Sequence, residues 1–319
     1  MLALALPLFG FSLTAAETQA VLQQAGNLLE WGRWKEARQL LTASLGQDPN
    51  NPRLLAYSAH VLVGFGDYVA ALAQAKQAVD LDQQCALCHL YLSEVLGERA
   101  KHMSRFRALL QLGKIKKQLE LASTLNPNLP DVHWGWINFN LEVPAAAGGS
   151  TGNALQQAGR LALVDPVDGY IARAAIDLAA NHNQQALQEY LEAARKYPND
   201  PRGIFYAGLT YFQQRQYATA LPYLERAAKL QAQSSLYSAY YAAVLVFLGR
   251  EAEARGVLQA SLALHPDSRL GDYLVAQALK QTGRNFDWAR ELLQHYLATA
   301  PEPDQPTRDD ATRLLASLG

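Results

Sequence analysis

"GIFYAGLTYFQQRQYATALPYLERA", residues 203–227, decides the fold. A turn at Arg215-Gln216 leads into an aromatic, Tyr217, and then to Ala220, Leu224 and Ala227 at helical spacing. The stretch reads as two antiparallel helices. Small residues at the alanine positions let the helices approach closely. The phrase returns along the chain. "EARQLLTASLGQDPNN" (36–51), "AALAQAKQAVDLDQQ" (70–84), "ALQEYLEAARKYPND" (186–200) and "EARGVLQASLALHPD" (253–267) share its alanines and a closing proline or its equivalent. The turn-and-aromatic lead-in also recurs, as "WGRWKEA" (31–37) and "FGDYVAA" (65–71).

The closing positions are Pro49, Gln83, Pro127, Pro166, Pro198, Ala232, Pro266 and Pro301. Their spacings are 34, 44, 39, 32, 34, 34 and 35 residues. Proline there ends the second helix, because it cannot continue it. No hairpin buries its apolar stripe alone, so neighbours must stack. A 34-residue period with this alanine–aromatic pattern is similar to the tetratricopeptide repeat, with Gly208, Tyr211, Ala220, Leu224 and Ala227 in the family's positions. The resemblance implies an all-α fold. It would be a right-handed superhelix, an α-solenoid of about eight helix-turn-helix units over 17–303 with a capping helix at 304–319. Asp304 or Thr307 is placed to cap that last helix, and Leu314, Leu315 and Leu318 to dock it.

Residues 1–16 differ from the rest. Leu2 to Leu13 is apolar, no charge precedes Glu17, and Thr14-Ala15-Ala16 suits a cleavage site. This reads as a signal peptide whose positive start lies upstream of Met1, and it places the protein in the periplasm or outside the cell. The composition is half hydrophobic with a net charge of −1. That excludes global disorder and argues against nucleic acid as a partner. Two cysteines are too few for a disulfide framework.

The period breaks twice. The 44-residue spacing places an insertion in unit three, "GERAKHMSRFRALLQLGKIKKQ" (97–118). Arg99, Lys101, Arg105, Arg107, Lys114, Lys116 and Lys117 form a basic patch, with Met103, Phe106 and Leu110 at helical spacing. The preferred reading is a longer hairpin whose apolar side rests on the next unit. The alternative makes 99–117 a contact for an acidic partner or an anionic membrane surface. The second insertion, "EVPAAAGGSTGNA" (142–154), has Pro144 to stop a helix, Gly148 and Gly149 for positive φ, and Ser150 or Thr151 to cap the next helix. No Lys-Ser/Thr follows the glycines, so it is not a P-loop. The two insertions, followed by "DPVDGY" (165–170), resemble an exported bacterial subgroup of tetratricopeptide proteins. More weakly, units three and four resemble the regulator-of-microtubule-dynamics family.

"CALCH" (85–89) has the spacing of a c-type haem attachment, with Cys85 and Cys88 for thioethers and His89 for iron. In repeat register Cys88 and His89 fall at positions 3 and 4 of a first helix, and His133 occupies position 4 in the next unit. That favours packing. A disulfide on one turn of helix would be strained. No H-E-x-x-H or G-x-S-x-G is present, so no catalytic residue, metal or cofactor is assigned and an enzyme is not expected.

The expected function is a non-enzymatic scaffold of the cell envelope that binds a protein or peptide in the concave groove. The resemblance implies that positions 2, 5, 9 and 12 of each first helix face the partner. It singles out Arg53, His60, Trp134, Asn138, Arg202, Phe205, Phe212, Tyr273 and Gln277. It also implies that docking of chaperone tails is unsupported, because no unit has Lys at position 5.

Overall fold

The computed structural model describes residues 12–319. Most of the expected signal peptide lies outside the described residues. Among the described residues there are 17 α-helices, one 3-10 turn and no strand. Sixteen of the helices run as eight successive hairpins, each a first (A) helix and a second (B) helix. They are α1 (Ala15–Glu30) with α2 (Trp34–Gln47), α3 (Pro52–Gly64) with α4 (Tyr68–Leu81), α5 (Ala86–Lys101) with α6 (Arg105–Leu125), and α7 (Pro130–Glu142) with α8 (Thr151–Val164). Then come α9 (Pro166–Ala179) with α10 (Asn183–Lys196), α11 (Pro201–Gln213) with α12 (Tyr217–Leu230), α13 (Ser235–Phe247) with α14 (Glu251–Leu264), and α15 (Leu270–Thr282) with α16 (Phe286–Ala298). α17 (Arg308–Ala316) closes the chain. The fold is an all-α solenoid.

Local chemistry sets the helix ends. Asn51, Asp67, Asp165, Asp200 and Ser234 each accept a backbone N–H from the first turn that follows. Pro52, Pro166 and Pro201 start α3, α9 and α11, where a missing N–H costs nothing. The B helices stop two residues before the closing position in most units, as at Gln47, Leu125 and Lys196. The 32-residue spacing has a structural cause: Asp165 ends α8 and caps α9 at once, so the usual connection is absent.

Packing follows the alanines. Ala71, Ala75 and Ala78 of α4 and Ala220, Leu224 and Ala227 of α12 are buried on one stripe at helical spacing. Gly208 faces such a stripe, and a Cβ there would lie 2.9 Å from the Tyr223 Cβ. Equivalent positions of successive repeats also touch. Arg53 binds Gln19, His60 binds Glu94, Tyr68 binds His102, Arg202 binds Asp168 and Asn285 binds Glu251, each pair 34 residues apart. One repeat length therefore brings like positions of neighbouring helices side by side.

The chain divides into two compact units that part inside α7, between Gly135 and Trp136; residues 30–33 belong to the second unit. The first holds a core around Ala59, Leu62, Ala71, Ala75, Leu92 and Val95. The second holds cores around Phe205, Leu224 and Tyr237 and around Leu279, Leu293 and Tyr296. In that unit α17 is capped by Thr307 with Asp310, and it docks Ala311, Leu314 and Leu318 on the α15–α16 core.

Two expectations need correction here. Gly148 has φ +106°, but Gly149 does not need a positive φ. A Cβ at Gly149 would instead sit 1.7 Å from the Val143 carbonyl oxygen, so close backbone approach requires it. The Phe106–Leu110 side of the 97–118 insertion does not rest on the next unit. Ile115, Leu119 and Ala122 bury the base of α6, while Phe106, Leu109 and Leu110 are 72, 52 and 61% exposed.

Candidate binding faces on the A helices

In the first unit, α3, α5 and α7 bring an aromatic and ionisable cluster to one face. Tyr57 and Tyr91 meet edge-to-face at 5.4 Å. His60 stacks on Tyr91 at 4.8 Å and lies 6.1 Å from the Trp34 ring. His60 Nδ1 bonds the Glu94 carboxylate at 2.8 Å, and Tyr91 O–H donates to Asp131 at 3.4 Å. Desolvation by these neighbours opposes a charge on His60. The Glu94 carboxylate outweighs it, through charge and hydrogen bond, and the imidazole titrates above its ordinary value. Burial pushes the Tyr91 and Tyr57 hydroxyls up, so both stay protonated donors. Tyr57, His60, Glu94 and Trp134 are half-buried, and Asp131 is exposed. The face therefore offers aromatic wall, carboxylate and imidazole together.

The second unit builds its face differently. Arg202 donates to Asp168 at 2.8 Å, to Asp165 at 3.0 Å and to Asp200 at 2.7 Å. Burial works against its charge, but the bonds to Asp200 and Asp165 and the Asp168 carboxylate hold it protonated well above the usual guanidinium value. The Asp165 carboxyl is half-buried, and although that desolvation works against its charge, the Arg202 bond keeps it below the usual carboxylate range. Beside this clamp Tyr190 and Tyr206 stack at 5.2 Å, and burial pushes Tyr190 up to about 12.

The expected groove residues separate accordingly. His60 and Trp134 lie on the first unit's face, and Arg53 is there as well, bonded to Gln19. Asn138 is exposed, and Gln277 and Phe212 are half-buried in the second unit, with Phe212 held between Tyr240 and Phe247. Phe205 and Tyr273 are 2 and 9% exposed. Both rings are core, so neither anchors a partner. Arg202 is engaged by three carboxylates and is corrected to a structural role. Position 6, which the sequence reading passed over, carries Tyr57, Tyr91, Tyr206 and Tyr240. Its signal was the 34-residue recurrence within each pair.

The haem reading of Cys85, Cys88 and His89 is also corrected. The two sulfurs are bonded to each other. His89 is buried, with Nε2 on the Gln83 carbonyl at 3.0 Å and Nδ1 on the Gln118 side chain at 2.6 Å. Thioethers would need both sulfurs out of the disulfide, and iron would take a ring nitrogen that is already hydrogen-bonded. Nor does the bridge close within a turn of helix: Cys85 is the extended N-cap of α5 and accepts the Cys88 N–H. His133, at the same position 4, is likewise buried, so both histidines pack between helices. Among the described residues no group of three His, Cys, Asp or Glu side chains could hold a metal, and no helix is long and apolar enough to cross a membrane.

Residues 28–94 match the family model of the tetratricopeptide repeat. Tetratricopeptide repeats are thus matched within the first third of the chain, over 28–94. One solved structure shares the fold, and two others are similar over part of the chain. Yeast Tom70 is similar with a TM-score of 0.62 at 16% identity, over 97% of this chain and 66% of that one. A thermophilic tetratricopeptide protein of Thermus thermophilus is 22% identical, with a TM-score of 0.49 over 64% of this chain and 98% of that one. YrrB, described as having an unusual peptide-binding site, is 18% identical, with a TM-score of 0.40 over 61% of this chain and 96% of that one. No curated protein matches the sequence.

Proposed function

We propose that this tetratricopeptide chain is a non-enzymatic scaffold that binds a protein or peptide on the first unit's A-helix face. The observation that carries this reading is the half-exposed cluster of Tyr57, His60 and Glu94 beside exposed Asp131. Aromatic rings held rigid by neighbours supply contact area at low entropic cost, and adjacent charges orient a ligand. The working location is the cell envelope. The apolar run Leu2–Leu13 supports it, and so does the Cys85–Cys88 disulfide, which persists in oxidising compartments.

Capture of partners from an envelope extract tests the reading, with Tyr57→Ala, Glu94→Gln and Trp134→Ala compared against the wild type. The face is the binding site if each variant loses the same captured species while keeping its helical circular dichroism. Capture that ignores all three would reject the face. Cell fractionation tests the location.

A further inference from the structure

The tip of the third hairpin has two apolar faces, and only one has protein to cover it. α5 has 16 residues and α6 has 21, against 13 and 14 in the hairpin before, α3 with α4. At about 1.5 Å per residue the extra turns lengthen the hairpin by roughly 5–10 Å. At about 100° per residue, Ala108, Leu112, Ile115 and Leu119 share the arc of α6 that faces its neighbours. Phe106, Leu109 and Leu110 share an arc about 100° wide on the opposite side, and they are exposed.

Charge identifies the occupant of that second face. Residues 99–119 hold seven of the chain's 28 basic residues and none of its 29 acidic ones, so the rest of the chain carries a net −8. Arg105, Arg107, Lys114, Lys116 and Lys117 are exposed and flank the apolar arc. Glu98 and Glu120 sit at the edges of the stretch, each on a lysine, Lys101 and Lys116. An acid-free, strongly basic tip with three large exposed apolar side chains fits an interface that is anionic outside and hydrocarbon within. Long basic side chains reach the headgroups while the apolar arc enters the acyl boundary.

We propose that this hairpin tip docks the protein onto an anionic lipid surface, inserting Phe106, Leu109 and Leu110 between headgroups held by the flanking lysines and arginines. The surface is separate from the A-helix face and does not depend on its function.

Sedimentation of the full chain with vesicles tests it, using phosphatidylglycerol–phosphatidylcholine mixtures and phosphatidylcholine alone. The expected result is binding to the anionic vesicles only, falling steeply with salt. Lys114→Gln, Lys116→Gln and Lys117→Gln together should weaken it about 100-fold, at roughly fivefold per charge removed from an anionic surface. Phe106→Gln with Leu110→Gln should weaken it about 10-fold through lost apolar burial. All five positions are exposed, so circular dichroism should be unchanged. Equal binding to neutral vesicles would overturn the proposal. So would binding that survives salt and both variant sets, the result expected if the uncharged run Leu2–Leu13 were the anchor. Lipid-independent self-association lost in the same variants would assign the tip to a second copy, and loss of a captured acidic protein with lipid binding unchanged would assign it to that protein. Either result overturns the lipid assignment.

Discussion

The first and second units place tyrosines at the same repeat position but charge their faces in opposite ways. Around Tyr57 and Tyr91 the ion pair is His60 with Glu94, a pair that one proton can dissolve. Near Tyr206 the charge is Arg202 inside three aspartates, permanent across ordinary pH. The signs of the shifts follow. His60 titrates above its ordinary value, so its contribution to stability is complete below about pH 6.5 and is lost as pH rises through the raised folded value. Asp165 titrates below its ordinary value, so its contribution is present above about pH 4 and is lost as pH falls through the depressed folded value. A repeat scaffold can thus carry one adjustable face and one fixed face on a single backbone plan.

The largest expected effect tests whether the second unit's aromatics are core. Phe205→Ala should cost about 3–5 kcal/mol in denaturant unfolding, because it empties a packed site. A cost below about 1 kcal/mol would return Phe205 to the surface. Next is the clamp. Arg202→Met leaves Asp165, Asp168 and Asp200 facing one another, and about 2–3 kcal/mol should be lost at pH 7 and much of it regained in acid. An unchanged midpoint at neutral pH would show the clamp to be ornamental. The Cys85–Cys88 disulfide closes only a four-residue loop, so its reduction should cost about 2 kcal/mol or less and leave the fold intact by circular dichroism. Collapse of the first unit on reduction would contradict that. The smallest effect is the adjustable pair. His60→Gln should lower stability at pH 5.5 by about 1 kcal/mol or less, and by less still at pH 8.5. A larger deficit at the alkaline end would invert the sign assigned to His60.

The repeat architecture was legible because its cause is periodic. Alanine at helical spacing, a closing proline and a 34-residue return fix each hairpin and its neighbour at once. The caps were legible too, at Ser150 and Thr307, since short polar side chains before an apolar run have a local role. The binding faces were less so. Position 5 was expected to point outward, yet Phe205 turns inward while Tyr206, one residue on, is half-exposed. A shift of one residue rotates a helical side chain by about 100°, and the neighbouring helix, absent from local sequence, decides between the two. Arg202 looked like a free ligand group because its partners Asp165 and Asp168 lie in another repeat. The hairpin tip shows the converse error: amphipathic spacing predicted a covered face, but the extra turns of α6 carry Phe106 past the neighbours that would cover it.

The ties between successive repeats in the first unit reach only about one repeat along the chain, as in Arg53 to Gln19, His60 to Glu94 and Tyr91 to Asp131. Such a unit yields to tension piecemeal. Drawn out from its ends, it should give way one hairpin at a time, each step releasing roughly 110 Å of extended chain for a 34-residue repeat. A protein held at one end by a partner and at the other by a surface would lengthen in steps, and would refold hairpin by hairpin on the neighbours still standing.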